Sequence, residues 1–345
     1  MHMGDTVLKP FDHPAVWKAS DFASKDQFAV DLSTRHVGAL EAATAAYKRC
    51  GGNHQGLNAR SFALTPIEDD LAAWRKEVLH GRGILMLRGL PVDRMDTDDL
   101  RLMFLGLGAH IGRPVSQSAN GELVADVVNV GNQDRNERAY RSSRKLKLHT
   151  DRCDHIGMLS IRKAMSGGLS GYASALAIHN ELLATRPDLL ALLYQGFHHH
   201  RFGEQAPGEP LVTRERIPTF SVTDGVPSVI CIRGYIDLAV EEGHVSLSDL
   251  ETEALDTFEA IAERDDMRLD LMMEPGEANF TNNCHVLHTR TAFEDDPDPA
   301  KRRHLLRVWL NEQGRPAAPG VVVHKGQGVL PQHGKGTYYR PAATL

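Results

Sequence analysis

The chain has 345 residues, a formal net charge of −6, 41% hydrophobic residues and 24% charged residues, which is ordinary usage for a globular protein. The acidic balance argues against a nucleic-acid partner, and no apolar run is long enough to span a membrane. The length suits one large domain or two ordinary ones.

The N-terminus and the cysteines predict a cytoplasmic protein. Residues 1–5 lack the charged-then-apolar layout of a secretory signal. The cysteines show neither a CxxC pair nor metal-finger spacing, so we interpret them as reduced thiols. They are Cys50, Cys153, Cys231 and Cys284. The sequence leaves a homo-oligomer open.

Helices are predicted in the first part of the chain. Residues 1–66 are mixed in composition, and we expect them to form an N-terminal wrap of the same domain. Apolar residues recur at helical spacing over 67–80 and again after Thr97, with a strand-length apolar run at 84–87 between them. A helix, a strand and a second helix therefore precede the first chemical motif.

Short strands joined by turns are predicted in the rest of the chain. Helices interrupt them at 179–194 and after Ser248, where Glu251 completes a capping-box pattern. This arrangement predicts a mainly β fold with helical buttresses, a double-stranded β-helix (jelly roll), over 67–313. Residues 314–345 are rich in Gly and Pro and are predicted as a C-terminal tail.

A His-x-Asp motif carries the first chemical signal. His149 and Asp151 lie at the end of a predicted strand, where residues two apart share a face and can bind one ion. An imidazole and a carboxylate are two of the three ligands in the facial triad of non-haem Fe(II). The third ligand should be a histidine after a late strand, and both His288 and His285 satisfy that spacing.

A pair of arginines follows on a late strand. An Fe(II) oxygenase needs two electrons to reduce O₂, which a 2-oxo acid can supply by oxidative decarboxylation. The far carboxylate of that co-substrate suits the bidentate fork of arginine. Arg303 and Arg307 are predicted to face the interior, where two cations are costly unless anions occupy them. The alternative is that both pair with carboxylates of the fold.

Residues 120–147 are predicted to end in a mobile loop beside the site. Strand parity places Lys145 and Lys147 on the same face as His149. A solvated strand start is the favoured interpretation of these lysines. The alternative is that one of them contacts an acidic group of the substrate.

Together these motifs resemble the TauD/TfdA family of Fe(II)- and 2-oxoglutarate-dependent dioxygenases over roughly residues 67–310. The residues that carry the resemblance are His149-Thr150-Asp151, Gly167-Gly168-Leu169-Ser170, Asn282-Asn283, Leu287-His288-Thr289-Arg290-Thr291-Ala292-Phe293 and Arg302-Arg303-His304-Leu305-Leu306-Arg307.

The resemblance implies that His149, Asp151 and His288 bind Fe(II), which selects His288 over His285. It further implies that Arg303 holds the distal carboxylate of 2-oxoglutarate.

The resemblance also assigns roles to three neighbouring positions. Arg307 matches a second arginine that helps to hold co-substrate or substrate. Ser170 matches a position where relatives often have Thr, and it keeps the hydroxyl. Arg302 is the fallback if the strand register differs by one residue.

Asp151 occupies the place where a halogenase of this family has a small residue, so hydroxylation or another C–H oxidation is expected. The resemblance implies that 2-oxoglutarate and O₂ are consumed, giving succinate and CO₂. The substrate is expected to be a small molecule, anionic or amino-acid-like. Asn282 and Arg290 either contact it or shape the loop of His288, and for Arg290 the second role is favoured.

Two other classes of protein fit part of the pattern. A zinc-dependent hydrolase could use the same three ligands to activate water. A non-catalytic jelly-roll protein that binds a metal or ligand is also compatible with these residues. The paired arginines and the Gly-Gly-Leu-Ser turn count against the hydrolase, and the presence of all three ligands counts against the binding protein.

Overall fold

The computed structural model describes residues 8–131, 137–332, 334 and 339. Its α-helices are α1 (Thr34–Arg49), α2 (Glu68–His80), α3 (Thr97–Ala109), α4 (Ala175–Thr185), α5 (Pro187–Gln195), α6 (Arg233–Glu241), α7 (Asp249–Ala262) and α8 (Pro319–Lys325). Its strands are β1 (Ala29–Asp31), β2 (Ile84–Arg88), β3 (Arg113–Val115), β4 (Val124–Val127), β5 (His155–Arg162), β6 (Ser166–Gly167), β7 (Ser170–Ser174), β8 (Phe220–Thr223), β9 (Val226–Val229), β10 (Arg268–Leu271), β11 (Glu277–Asn282), β12 (Val286–Arg290), β13 (Phe293–Glu294) and β14 (His304–Asn311).

Two sheets form the centre of the fold. The larger has the order β1-β2-β11-β5-β14-β3, with β4 also paired to β14, and the smaller has the order β10-β7-β12. Only β1 and β2 are parallel among the paired strands described. Met86 and Leu305 from the larger sheet share one buried cluster with Tyr172 and Val286 from the smaller. The sheets therefore pack against each other through apolar side chains that alternate with polar ones.

Helices α1, α2 and α3 buttress the larger sheet. Leu40, Trp74 and Phe104, one from each helix, belong to the same buried cluster as Phe280 of β11 and Leu306 of β14. The N-terminal segment is thus packed into the main core through α1 and β1. The predicted boundaries at residues 66 and 313 stay a prediction.

Helices α4, α5 and α7 form a second layer behind the smaller sheet. Ile178, Leu190 and Phe258 pack with Leu287 of β12 and with Leu148, which lies next to the His-x-Asp motif. The predicted cap of α7 is confirmed, because the Ser248 side chain accepts a hydrogen bond from the Glu251 backbone N–H. This layer holds the smaller sheet and the motif in one rigid unit.

The segment before the motif is less regular than predicted. In place of a strand, His149 forms a single bridge with His288, in which each backbone N–H donates to the carbonyl of the other residue. Segment 197–202 likewise forms isolated bridges only, at Phe197 and His200. In both segments the backbone N–H and C=O groups form hydrogen bonds with residues in loops, so a continuous β-strand is not formed.

The C-terminal segment is tied to the core beside the motif. Lys325, at the end of α8, is buried and donates to the carboxylate of Asp154. All four cysteines are free. Within the described part of the chain, no helix has the length and apolar character needed to cross a membrane.

Candidate active site

Three side chains of the sequence motifs converge at the mouth of the smaller sheet. His288 lies on β12, and the bridge to His149 brings Asp151 beside it. Asn283 fixes the connecting turn by accepting from the Asp151 N–H and donating to the carbonyls of Asp151 and Cys153. Potential ligand atoms of the two histidines and the aspartate all lie within 4.8 Å of one another.

The donor set fits a divalent transition metal. His149 Nδ1 donates to the Lys147 carbonyl at 2.8 Å, which leaves the Nε2 lone pair free to bind an ion. Asp151 Oδ2 accepts from Trp309 Nε1 at 2.8 Å and from Arg307 Nη1 at 3.2 Å, which leaves Oδ1 available. Oδ1 lies 3.9 Å from His149 Nε2, a gap that one ion with bonds of about 2 Å can bridge.

Protonation states at the three residues also suit metal binding. Burial lowers the pKa of His288 to about 3, so the imidazole is neutral at physiological pH. Burial alone would raise the pKa of Asp151, but the neighbouring positive groups, of which Arg307 contributes most, together outweigh this effect and lower it to about 2. A neutral imidazole and an ionised carboxylate are the forms that bind a divalent ion.

A cavity of about 480 Å³ opens onto these three residues. Its volume lies in the range that accommodates small-molecule ligands. Further residues singled out in the sequence line it, among them Lys145, Lys147, Ser170, Arg290, Arg303 and Arg307. The sequence motifs are therefore brought together around one cavity.

Arg290 and Arg303 form a basic corner of this cavity with Ser170. Arg290 lies directly across from Ser170 in the β12–β7 pairing. Buried nitrogens of both arginines have no hydrogen-bond partner among the described residues. Burial lowers the pKa of Arg290 to about 9 and that of Arg303 to about 10. Two buried, partly unpartnered guanidiniums beside a hydroxyl are suited to bind a carboxylate.

A glycine leaves space for this corner. Gly168 adopts a positive φ of 74°, and a Cβ there would lie 3.2 Å from Arg303 Nε. The Gly-Gly turn before Ser170 thus lets the arginine pass close to the backbone.

Arg307 faces the metal-binding residues. Its Nη1 donates to Asp151, its Nε donates to Gln117 Oε1 at 2.7 Å, and its guanidinium lies 4.4 Å from the centre of the Tyr140 ring. Gln117 Nε2 also donates to the Arg307 backbone carbonyl at 2.9 Å. This clamp orients the arginine towards Asp151.

The two loop lysines point to a neighbouring helix. Lys145 pairs at 2.9 Å with Glu263, which lies directly after α7. Lys147 pairs at 3.0 Å with Glu259, which lies on α7. Their side chains are 53% and 63% exposed. These contacts agree with the favoured interpretation of solvated lysines.

Three alternatives from the sequence lie away from the cavity lining. His285 is buried near His13, with ring centres 4.9 Å apart. Arg302 donates to the carbonyl of Asp296 at 3.3 Å. Asn282 accepts from the Cys284 N–H and so shapes the turn before β12.

A second group of possible ligand atoms lies at His200, Glu242 and His244. Phe202 N–H donates to His200 Nδ1 at 2.9 Å, so the proton of a neutral ring is on Nε2. That nitrogen lies 3.3 Å from Glu242 Oε2. With Nδ1 of His200 accepting a hydrogen bond and Nε2 protonated, this ring has no free lone pair for a metal, and the group fits two histidines close to one carboxylate better than a metal site.

Several residues of the site were missed in the sequence. Trp309 lies two residues after Arg307 on β14, so strand parity could have indicated its position. Gln117 has no comparable signal, because its contacts depend on how distant loops meet. Asn283 belongs to the Asn-Asn pair of the family resemblance, but its role in holding the Asp151 backbone was not predicted.

A jelly roll with two histidines, a carboxylate and a nearby arginine corner defines the class of non-haem iron oxygenases that use a 2-oxo acid. The family model described as taurine catabolism dioxygenase TauD, TfdA family matches residues 49–309, most of the chain. The chain belongs to this family, and it is an Fe(II)- and 2-oxoglutarate-dependent oxygenase that uses O₂.

The individual relatives have low sequence identity to this chain. The chain is 28% identical to FR-33289 synthase of Streptomyces rubellomurinus (strain ATCC 31215) over 94% of this chain and 97% of the relative. It resembles asparagine oxygenase in complex with Fe(II), 2S,3S-3-hydroxyasparagine and succinate, with a TM-score of 0.64 and 18% identity over 82% of this chain and 93% of that one.

A third similar structure is the non-haem iron oxygenase OrfP in complex with Fe and alpha-ketoglutaric acid. Its TM-score is 0.61, with 16% identity over 83% of this chain and 94% of that one. These similarities confirm the predicted double-stranded β-helix.

Proposed function

We propose that this oxygenase hydroxylates, or otherwise oxidises at a C–H bond, a small anionic or amino-acid-like substrate. His149, Asp151 and His288 would hold Fe(II). The observation that carries the proposal is the convergence of their ligand atoms within 4.8 Å, on a cavity that also exposes the arginine corner. Asparagine oxygenase, crystallised with a hydroxylated amino acid, supports the substrate class.

Arg303 and Ser170 would hold the distal carboxylate of 2-oxoglutarate, with Arg307 orienting the groups beside the metal. The structure adds Arg290 as a candidate for the same carboxylate, because its Nε and Nη1 are buried without a partner in the described chain. This role differs from the loop-shaping role favoured from the sequence.

The protein residues bind and orient, while bound iron supplies the chemistry of O₂ activation. Arg307 and Trp309 hold Asp151 Oδ2, so the carboxylate presents Oδ1 in one orientation. The Lys147 carbonyl fixes the tautomer of His149. Tyr140 lines the cavity, and its ring lies against the Arg307 guanidinium and so helps to fix that side chain.

Succinate formation tests the proposal directly. Purified protein with Fe(II), ascorbate and 2-oxoglutarate is assayed in air against small carboxylates, amino acids and sulfonates, beside Asp151→Ala and Arg303→Ala. We expect turnover with one substrate class that is lost in Asp151→Ala and needs far more 2-oxoglutarate in Arg303→Ala.

Binding under nitrogen gives the second readout. Wild-type protein should bind Fe(II) and then 2-oxoglutarate, and Asp151→Ala should lose the metal. If the wild type binds neither Fe(II) nor 2-oxoglutarate, the site assignment is wrong, whether or not a substrate has been identified.

A further inference from the structure

The cavity exposes a second arginine group, separate from the arginine corner. Arg138 and Arg152 both line it, and both pair with the single carboxylate of Glu204. The arginine corner has the same composition of two arginines and one carboxylate, because the negative charge of Asp295 acts on both Arg290 and Arg303. Each group therefore contains two guanidiniums and one carboxylate. Under the proposed function, 2-oxoglutarate supplies the missing negative charge at the corner only.

The second group is buried. Arg138 Nε lies 3.3 Å from Glu204 Oε1, and Arg152 Nη1 lies 3.7 Å from Glu204 Oε2. The side chains of Arg138, Arg152 and Glu204 are 11%, 14% and 2% exposed. A buried charge without a counter-ion is costly, so this group favours a further anion.

The other contacts of the two arginines are neutral. Arg138 donates to the Tyr235 hydroxyl and to the Gln117 carbonyl, and Arg152 donates to the His324 carbonyl. These hydrogen bonds orient the guanidiniums but add no negative charge to that of Glu204.

Other carboxylates that line the cavity are engaged elsewhere. Asp151 pairs with Arg307, Asp237 pairs with Arg233 at 2.6 Å, and Glu137 lies 3.4 Å from Arg141. Glu241 also has an interaction of its own. Among the described residues, Arg138 and Arg152 therefore pair directly with one carboxylate only, Glu204, while the charge of Asp151 acts on Arg138 from a greater distance and is already paired with Arg307.

Tyr140 adds an uncharged donor to the same wall. It lines the cavity and is 7% exposed, and its buried hydroxyl has no hydrogen-bond partner in the described chain. A phenol O–H and two guanidiniums form a donor set suited to an oxyanion.

We propose that Arg138, Arg152 and Tyr140 form a subsite that binds one oxyanion group of the primary substrate, a carboxylate, sulfonate or phosphate. This inference rests on the proposed function, since it assigns the arginine corner to 2-oxoglutarate. The substrate then carries a negative charge that is recognised apart from the co-substrate, by residues other than Lys145 and Lys147.

Calorimetric titration under nitrogen tests the subsite. Acetate, methanesulfonate and inorganic phosphate are titrated into protein loaded with Fe(II) and 2-oxoglutarate, with chloride as the salt control. We expect one of the oxyanions to bind wild type at a single site, and the best probe identifies the oxyanion type. Binding should weaken at least tenfold in Arg138→Gln and in Arg152→Gln.

Two further variants sharpen the test. Glu204→Gln removes the shared carboxylate and should tighten binding of the oxyanion severalfold. Arg233→Gln is the matched control, because Arg233 lines the cavity but is already paired with Asp237 and Asp256, and binding should be unchanged. Equal oxyanion affinity in all variants, or no oxyanion binding by wild type, overturns the subsite.

Titration of each variant with 2-oxoglutarate separates this proposal from the proposed function. Wild type that binds 2-oxoglutarate but no oxyanion rejects only the subsite, whereas wild type that binds no 2-oxoglutarate rejects the proposed function. If the arginine variants lose 2-oxoglutarate as well through misfolding, the direction of the Glu204→Gln effect decides: tighter oxyanion binding supports the subsite, and unchanged or weaker binding overturns it.

Discussion

Asp151 is the residue on which most contacts of the site converge. One carboxylate oxygen accepts from both Trp309 and Arg307, and the backbone is held by Asn283. Hydrogen bonds of this kind orient a metal ligand and adjust its affinity. The geometry of the proposed metal site therefore depends on residues other than its three proposed ligands.

Replacing Trp309 tests this dependence. Trp309→Phe keeps most of the buried ring but removes the N–H that donates to Asp151 Oδ2. We expect Fe(II) affinity, measured by competition with a chelator, to fall about 10–100-fold while the thermal unfolding midpoint changes little. An unchanged Fe(II) affinity would show that Arg307 alone orients the carboxylate.

Replacing Arg290 tests its contribution to co-substrate binding. Arg290→Gln removes one charge from the arginine corner, and a charge-assisted hydrogen bond contributes about 1.5–3 kcal/mol. We therefore expect the KM for 2-oxoglutarate to rise at least about tenfold, with Fe(II) affinity unchanged. Arg302→Gln is the control, since Arg302 lies outside the cavity lining. Equal KM values for 2-oxoglutarate in both variants would indicate that Arg290 shapes the loop of His288 and does not bind the co-substrate.

At the scale of elements, strand alternation accounts for how much of the site the sequence can predict. It predicts that His149 and Asp151 share a face, and their ligand atoms do lie together with that of His288, although a single bridge at His149 replaces the strand on which the prediction was based. Periodicity also indicates α2, α3 and α7. It cannot indicate the contacts of Gln117 or Glu204, because these residues lie in loops whose paths are set by tertiary packing. The choice between His288 and His285 requires the family resemblance, since both fit the spacing.

The lysines before the motif illustrate an ambiguity that periodicity leaves open. Their partners lie on α7 or directly after it, more than a hundred positions later in the chain. Surface ion pairs contribute about 0–1 kcal/mol, so Lys145→Met and Lys147→Met should each change the free energy of unfolding by less than about 1 kcal/mol. The KM for 2-oxoglutarate and for the substrate should stay within about twofold. A large rise in substrate KM would instead favour a substrate contact.

At the scale of the whole molecule, the C-terminal segment is held to the site by a buried ion pair. Lys325 and Asp154 are 7% and 2% exposed, and Asp154 also accepts from the Glu312 N–H. Because Asp154 lies three residues after Asp151, α8 is fixed to the turn that carries the metal-binding carboxylate.

Removing one partner of this pair should destabilise the fold. Lys325→Met leaves an unpaired buried carboxylate, and we expect a loss of about 3–5 kcal/mol in chemical denaturation. The double variant Asp154→Asn/Lys325→Met should recover most of that loss. A double variant as unstable as the single one would indicate that Asp154 acts mainly through its backbone contacts.

The same pair predicts a pH dependence of stability. Burial alone would raise the pKa of Asp154, but the charge and hydrogen bond of Lys325, together with smaller effects of neighbouring cations, outweigh it, and the pKa lies below its ordinary value. A depressed pKa gives stability that is present above the unfolded-state pKa of about 3.9 and is lost as pH falls through the folded pKa. The difference in unfolding free energy between wild type and Lys325→Met should therefore shrink below about pH 4, and denaturant midpoints measured across this pH range would show it.

Gln117 connects two parts of the cavity that are proposed to bind different molecules. Its side chain holds Arg307 beside the metal site, and its backbone carbonyl accepts from Arg138. A ligand that draws on Arg138 therefore acts on the residue that orients Arg307. Such a connection is a thermodynamic coupling, and coupling of this kind is reciprocal: an oxyanion that tightens Fe(II) binding must itself bind more tightly, by the same factor, when Fe(II) is present.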